Sequence, residues 1–126
     1  MIEAAIKKAL ERITGMKVYP LLLPADQLEG VTFQRISDPE ISTGMVRTGL
    51  VEGRFQITLY AVNDYTKLVQ LDSAIWNEWK QIQHGMIEDY PVQYVQRSGI
   101  QEGKETLTNG STLYDRKRDF ILTFKE

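Results

Sequence analysis

An alternation of apolar and polar side chains between residues 50 and 61 constrains the fold of this chain more than any other feature. Successive side chains of a β-strand point to opposite faces, so a period of two predicts a strand with one buried face. The apolar positions are Phe55, Ile57, Leu59 and Ala61, and the polar positions are Arg54, Gln56, Thr58 and Tyr60. Such a strand needs a sheet around it and a second layer that covers its apolar face.

A first helix is predicted at the start of the chain. Its apolar residues recur at helical spacing, and Gly15 follows where a left-handed C-cap would lie. These apolar residues are Ile2, Ala5, Ile6, Ala9, Leu10 and Ile13.

A second helix is predicted after Asn63 and Asp64, which are residue types that cap helix N-termini. We expect it to run to about His84 and to end at Gly85. Its apolar stripe consists of Leu68, Leu71, Ile75, Trp79 and Ile82, and is widened by Val69 and Trp76.

The remaining strands follow from shorter patterns. Residues 18–20 form a short extended piece, which Pro20 and Pro24 exclude from a helix or a central strand. Residues 31–36 are β-branched and aromatic and predict a strand. Residues 38–49 contain Gly44 and Gly49 and are predicted to be a long loop, of the kind that is often functional or disordered when free.

A twisted β-hairpin is predicted near the end of the chain. Residues 92–102 and 112–124 flank a connection at residues 103–111 that contains Asn109 and Gly110. In its second strand, Phe120, Leu122 and Phe124 share a face with Tyr114, Arg116 and Arg118. Either this face changes from apolar to basic along the strand, or a bulge shifts the register.

These elements predict an α+β fold in which two helices pack on one face of a mainly antiparallel β-sheet of four to five strands. With 126 residues, 42% of them hydrophobic, the chain has the size and composition of one globular domain spanning residues 1–126.

Composition excludes several classes of function. The absence of cysteine excludes thiol nucleophiles, disulfides and thiolate-ligated metals. A net charge of -2 argues against sustained DNA binding, because affinity for phosphates comes from clustered basic residues. We expect no signal peptide and no membrane segment, since no run of roughly 20 apolar residues is present.

The residues offer little for catalysis, and we expect no enzyme and no cofactor or metal. The one histidine, His84, is interpreted as stabilising the end of the second helix through the helix dipole. Trp76 and Trp79 are interpreted as core residues, and Asp38 and Glu40 as parts of a turn. Glycine patterns for phosphate binding and a nucleophile elbow are both absent.

The linear order of features adds a resemblance to these observations. The features are Val18-Tyr19-Pro20, the segment Val31-Thr32-Phe33-Gln34-Arg35-Ile36-Ser37, the segment Gly49-Leu50-Val51-Glu52-Gly53-Arg54-Phe55-Gln56-Ile57-Thr58-Leu59-Tyr60-Ala61, and Tyr65 leading a helix. This order resembles the tail-completion family of long-tailed phages, which includes tail-terminator and head–tail joining proteins. The resemblance covers residues 5–82, and the C-terminal hairpin agrees only in general character.

The resemblance implies a structural protein of the virion, made in the cytoplasm of a host bacterium and located at the head-proximal end of the tail. It implies a ring of identical subunits, commonly a hexamer, that caps the tail tube. The partners would be other copies of the chain, the tail-tube protein and the head connector or adaptor. DNA would pass through the opening without specific binding.

Candidate interface residues lie in the two long connections and in the last strand. We expect the loop around Ile41, Met45, Val46 and Arg47 to become ordered on assembly, because apolar residues in a glycine-containing connection are typical of docking segments. The 103–110 loop, with Lys104, Glu105 and Asn109, is expected at the ring surface or lumen. Arg116 and Arg118 are expected on a solvated or subunit-contacting strand.

Two other functions remain open. One is a small α+β dimer that binds a ligand or acts as an enzyme, which predicts a pocket with converging polar groups. The other is a different phage joint protein, such as a head-side adaptor or a tail-tube subunit.

Overall fold

The computed structural model describes all 126 residues as an α+β fold with two helices and one curled, mostly antiparallel sheet. The helices are α1, Ile2–Thr14, and α2, Tyr65–Trp79. The strands are β1, Val18–Pro20; β2, Gly30–Ser37; β3, Glu40–Thr43; β4, Val46–Val62; β5, Gln83–Ile87; β6, Tyr90–Thr106; and β7, Thr112–Lys125. The prediction of an α+β fold is therefore confirmed, but the sheet has more strands than the four to five predicted.

The order across the sheet is β1-β2-β4-β7-β6-β5, and β3 pairs with β4. Only β1 and β2 run parallel. The centre of the sheet is the β4–β7 pair, whose register continues without a shift from Leu50 opposite Lys125 to Val62 opposite Leu113. Of the two alternatives for β7, this register supports the face that changes from apolar to basic. A register shift lies instead between β6 and β7, where residues 98 and 99 have no partner.

One face of the sheet and both helices share a single hydrophobic core. Phe55, Ile57 and Leu59 of β4 are completely buried, as the alternation predicted. Helix α1 ends at Gly15 in the left-handed conformation, and the Asp64 side chain caps α2 by accepting a hydrogen bond from the Lys67 N–H. Both caps match their predictions.

The prediction for the end of α2 was wrong. The helix ends at Trp79, the chain turns, and residues 83–87 form β5, which pairs with β6 through a turn at Glu88 and Asp89. Ile82 is buried even though it lies outside the helix, because the turn returns it to the core. Because Ile82 follows Trp79 at helical spacing, the apolar pattern alone predicts a longer helix than the one observed.

The prediction of a loop at residues 38–49 was also wrong, because most of these residues form paired β-strands. β3 pairs with the start of β4, with Thr43 opposite Val46 across a turn at Gly44 and Met45. The polar outer faces of these strands gave no alternation in the sequence. Neither helix has the length and apolar composition that crossing a membrane requires.

Candidate assembly surfaces

The β3–β4 hairpin extends past the end of the sheet. Residues of β4 before Leu50 have no partner on β7, so the hairpin projects by roughly 13 Å at the rise of a β-strand. We call residues 41–47 the hairpin tip. Met45 is fully exposed and Val46 is 65% exposed. The structure therefore brings together Ile41, Met45, Val46 and Arg47, the first group of predicted interface residues.

Polar contacts hold the hairpin in shape. Arg47 Nη1 donates to Glu40 Oε1 at 2.9 Å, and the Thr48 hydroxyl donates to the carbonyl of Ile41. None of these contacts covers Met45 or Val46. Met45 and Val46 are adjacent and both uncovered, so they form a small exposed apolar patch at the tip.

The second predicted group lies at the opposite end of the sheet. Lys104 and Glu105 pair with Tyr114 and Leu113 in the β6–β7 hairpin, next to the end of β4. The predicted connection at residues 103–111 was therefore too long, because β6 continues to Thr106. Asn109 lies in the turn of that hairpin, where its side chain accepts a hydrogen bond from the Ser111 N–H at 3.0 Å. The two groups of predicted residues are therefore separated by the length of β4.

Arg116 and Arg118 point toward α2, on the continuation of the apolar face of β7. Arg116 Nε donates to Asp72 Oδ2 at 2.9 Å, and Arg118 Nη2 donates to the same oxygen at 3.0 Å. Their side chains are almost buried. Burial opposes charge on Arg116, but hydrogen bonds to Asp72 and Glu102 outweigh it and raise its pKa. The structure thus gives these arginines an internal partner, so the expectation of a solvated strand was wrong for these two side chains, because they continue the buried face of β7.

Asp72 is the residue that sequence reasoning missed. It is 4% exposed and lies on the buried side of α2, among Leu68, Ile75 and Trp79. The available signal was its position four residues after Leu68, because residues four apart share a helix face. Together with two arginines on one strand face, that position predicts a buried ion cluster.

A surface contact continues this cluster to β6. Glu102 accepts hydrogen bonds of 2.6 Å from the Tyr65 hydroxyl and from Arg116 Nη1. The hydrogen bond from Tyr65, and then the one from Arg116, lower the pKa of Glu102, and the contact with Glu102 raises the pKa of Tyr65. Tyr65 thus joins α2 to β6 and Asp72 joins α2 to β7, while Arg118 Nη1 also donates to the carbonyl of Ser98 and joins β7 to β6.

Residues 21–29 carry exposed leucines that the sequence did not indicate, and we call them the leucine segment. Leu21, Leu22 and Leu28 are 63%, 78% and 48% exposed. Leu21 has φ 71, and the Leu22 N–H donates to the carbonyl of Pro20, which is the geometry of a strained γ-turn. A left-handed backbone costs on the order of 1–3 kcal/mol for such a residue. Because the Leu21 side chain is exposed, its burial does not offset the free-energy cost of this backbone conformation.

A cavity of about 190 Å³ lies between the leucine segment and the outer face of the sheet. Leu21 and Leu22 form one wall, Thr58 and Tyr60 of β4 lie opposite, and Lys117 of β7 lines it as well. Thr58 is 5% exposed although it is on the outer face, so the segment covers this part of the sheet.

The outer edge of β6 is a further exposed feature of the sheet. β5 pairs only with residues 90–94, so the outer edge of residues 96–106 has no strand beside it. Gly99, in the bulge, has no atom near the position that a Cβ would occupy. Free edges can pair with strands of other chains.

No group of three or more histidine or acidic residues is placed to hold a metal ion. His84, expected at the end of α2, lies in β5 with φ 49, and its Nδ1 is 2.6 Å from Gln93 Oε1. The dipole interpretation of His84 was therefore wrong.

No protein-family model matches this chain, and no curated protein matches it either.

Proposed function

We propose that this chain is a structural subunit of a phage tail, of the tail-completion type, which forms a ring with other copies and caps the tail tube where it meets the head. The observation that carries the proposal is the projecting hairpin tip, with Met45 and Val46 exposed beyond the end of the sheet. The resemblance in residues 5–82 supplies the biological setting.

The position of the exposed surfaces supports a ring. The hairpin tip and the β6–β7 hairpin lie at opposite ends of β4. The tip exposes the apolar side chains of Met45 and Val46, whereas the β6–β7 hairpin exposes the charged side chains of Lys104 and Glu105. A contact between two different surfaces of identical subunits is heterologous, and heterologous contacts close into rings when the rotation allows it. A simple two-fold dimer would instead use one self-complementary surface.

The electrostatics support a channel through which DNA slides. Six of the seven arginines form ion pairs within the chain. The seventh, Arg97, lies over the Trp76 ring at 5.2 Å. The arginines therefore have partners within the chain, and the net charge of -2 gives the subunit no overall attraction for phosphates.

Growth of tail tubes tests the proposal. The purified chain is added to tubes assembling from the tail-tube protein encoded in the same genome, and tube ends are imaged by electron microscopy. We expect added density at one end of each tube and an arrest of growth. Unchanged growth with bare ends would contradict the proposal.

The same experiment separates the other joint roles. A tail-tube subunit would incorporate along the whole tube, whereas a head-side adaptor would leave the tube bare and bind the head connector. A ligand-binding dimer would bind neither structure.

A further inference from the structure

We propose that the hairpin tip of one copy docks on the leucine segment of the next copy, with Met45 seated in the cavity beside Leu21 and Leu22. The inference rests on the proposed ring and goes beyond it, because it names the two surfaces that join neighbouring subunits. Both surfaces carry exposed apolar side chains, Met45 and Val46 on the tip and Leu21 and Leu22 on the leucine segment, and the rest of the cavity lining is mainly polar.

Distance requires that the occupant come from another copy. The tip begins β4 at Val46, whereas the cavity is lined by Thr58 and Tyr60 near the other end of the same strand. Twelve residues of extended strand span roughly 40 Å. Met45 therefore cannot reach the cavity of its own chain, but it can reach that of a neighbour placed end to end.

The size of the cavity favours a single side chain. Its volume of about 190 Å³ is far above the share of one water molecule, about 30 Å³. It is below the roughly 300–1,000 Å³ of typical small-molecule sites. Methionine is unbranched and flexible, which suits a cavity with a leucine wall and a polar floor.

We call the contact between the hairpin tip and the leucine segment the joint. The two surfaces carry opposite charges in addition to their apolar side chains. The tip presents Arg47, whose side chain is 85% exposed, and Glu40 beside it. The receiving surface presents Asp26 on the leucine segment and Lys117 at the cavity, and neither forms an ion pair within its own chain. Arg47 and Glu40 pair with each other at 2.9 Å in the free subunit, and docking would bring an acid, Asp26, to Arg47 and a cation, Lys117, to Glu40. Such opposite charges favour this orientation over its reverse.

Cysteine cross-linking tests the joint cleanly, because the chain has no cysteine of its own. A Met45→Cys chain is mixed with a Leu22→Cys chain and oxidised, and the disulfide-linked pairs are identified by mass spectrometry. The matched control replaces Met45→Cys with Met86→Cys, since Met86 is also exposed, at 59%, but lies on β5. We expect the Met45 and Leu22 positions to cross-link several times more than the control pair.

Substitution adds a quantitative measure. Met45→Asp and, separately, Leu22→Asp are expected to weaken self-association at least about 30-fold, as removal of an interface hot spot does. Met86→Asp is expected to leave it unchanged. Circular dichroism of each variant shows whether the fold is retained, and both sites are exposed enough to tolerate a charge.

The outcomes distinguish this joint from the proposed function. Equal cross-linking of the test and control pairs would overturn the joint, even if the chain still caps tubes. Strong cross-linking without tube capping would support the joint and contradict the tail role. Self-association that survives both aspartate variants would also overturn the joint.

Discussion

Asp72 balances two arginines inside the fold, and its charge is expected to matter more for stability than that of any exposed acid. Asp72→Asn leaves Arg116 and Arg118 without that carboxylate, and breaking a buried ion pair costs about 3–5 kcal/mol. We expect a loss of about 3 kcal/mol in the free energy of unfolding, measured by urea denaturation.

Asp89→Asn is the matched control, because Asp89 is exposed and makes no ion pair. It is expected to change stability by less than about 0.5 kcal/mol. Equal effects of the two substitutions would contradict the assignment of Asp72 as the centre of the cluster.

Gly53 is required by close packing. A Cβ at this position would lie 2.7 Å from Phe124 Cε1 and 2.8 Å from Phe55 Cε2, and both rings are completely buried. Gly53→Ala is therefore expected to lower the free energy of unfolding by about 1–3 kcal/mol.

Gly99→Ala provides the contrast, because nothing surrounds its Cβ position and its φ is not positive. Thermal or urea denaturation is expected to show no loss of stability, or a gain of about 0.4–1 kcal/mol from a less flexible unfolded chain. A larger loss at Gly99 than at Gly53 would contradict the packing described for β4.

Glu78 of α2 makes stability depend on pH through its ion pair with Arg12 of α1. Arg12 Nη1 donates to Glu78 Oε1 at 2.9 Å, and Arg12 Nη2 donates to Glu78 Oε2 at 2.6 Å. This hydrogen bond lowers the pKa of Glu78 below its usual 4.5. A lowered folded-state pKa contributes stability above the unfolded pKa, and that stability is lost as pH falls through the folded-state pKa.

Glu78→Gln is therefore expected to destabilise the chain near pH 7, by less than about 1 kcal/mol because the pair is exposed to solvent. Near pH 3 the difference from the unmodified chain is expected to shrink. Denaturation at several pH values measures this, with Glu11→Gln as the control on the same helix pair. An effect of Glu78→Gln that grows toward acid would contradict the ion pair.

At the scale of elements, the β3–β4 hairpin is the segment whose state should change on assembly. We expect its amides at residues 41–48 to exchange hydrogen slowly in the assembled ring and quickly in the free subunit, because the free tip is covered by nothing. The central β4–β7 pair serves as the internal reference, since its amides are protected in both states. Unchanged exchange in the tip would argue against docking through this hairpin.

The elements that the sequence predicted well are those with one buried face. α1, α2 as far as Trp79 and the central part of β4 have apolar residues at the period of their structure, and their buried faces follow from that period. β3 was not predicted because both of its faces are largely polar. β5 was not predicted because the buried Ile82 continues the helical spacing of α2.

The surfaces were harder to predict than the elements. The grouping of Ile41, Met45, Val46 and Arg47 was predicted because all four lie on one connection. Asp72 meets its arginines across 44 and 46 residues of chain, and the leucine segment depends on a turn at Leu21. Contacts between distant segments depend on topology, which local patterns do not specify.

At the scale of the whole molecule, the fold places different exposed surfaces at the two ends of one long strand. The core and the Asp72 cluster hold the helices to the sheet, while the hairpin tip and the leucine segment face outward. A subunit built in this way has two different exposed ends, and a head-to-tail ring requires two different surfaces on each subunit.

The mass and image of the assembled particle test this account most directly. Native mass spectrometry and negative-stain electron microscopy are applied to the chain, alone and with tail tubes. The account predicts a ring with a central opening and a mass of about 87 kDa, six times the 14.5 kDa subunit, in solution or at tube ends. A compact particle of two subunits, or a monomer that leaves tube ends bare, would contradict it.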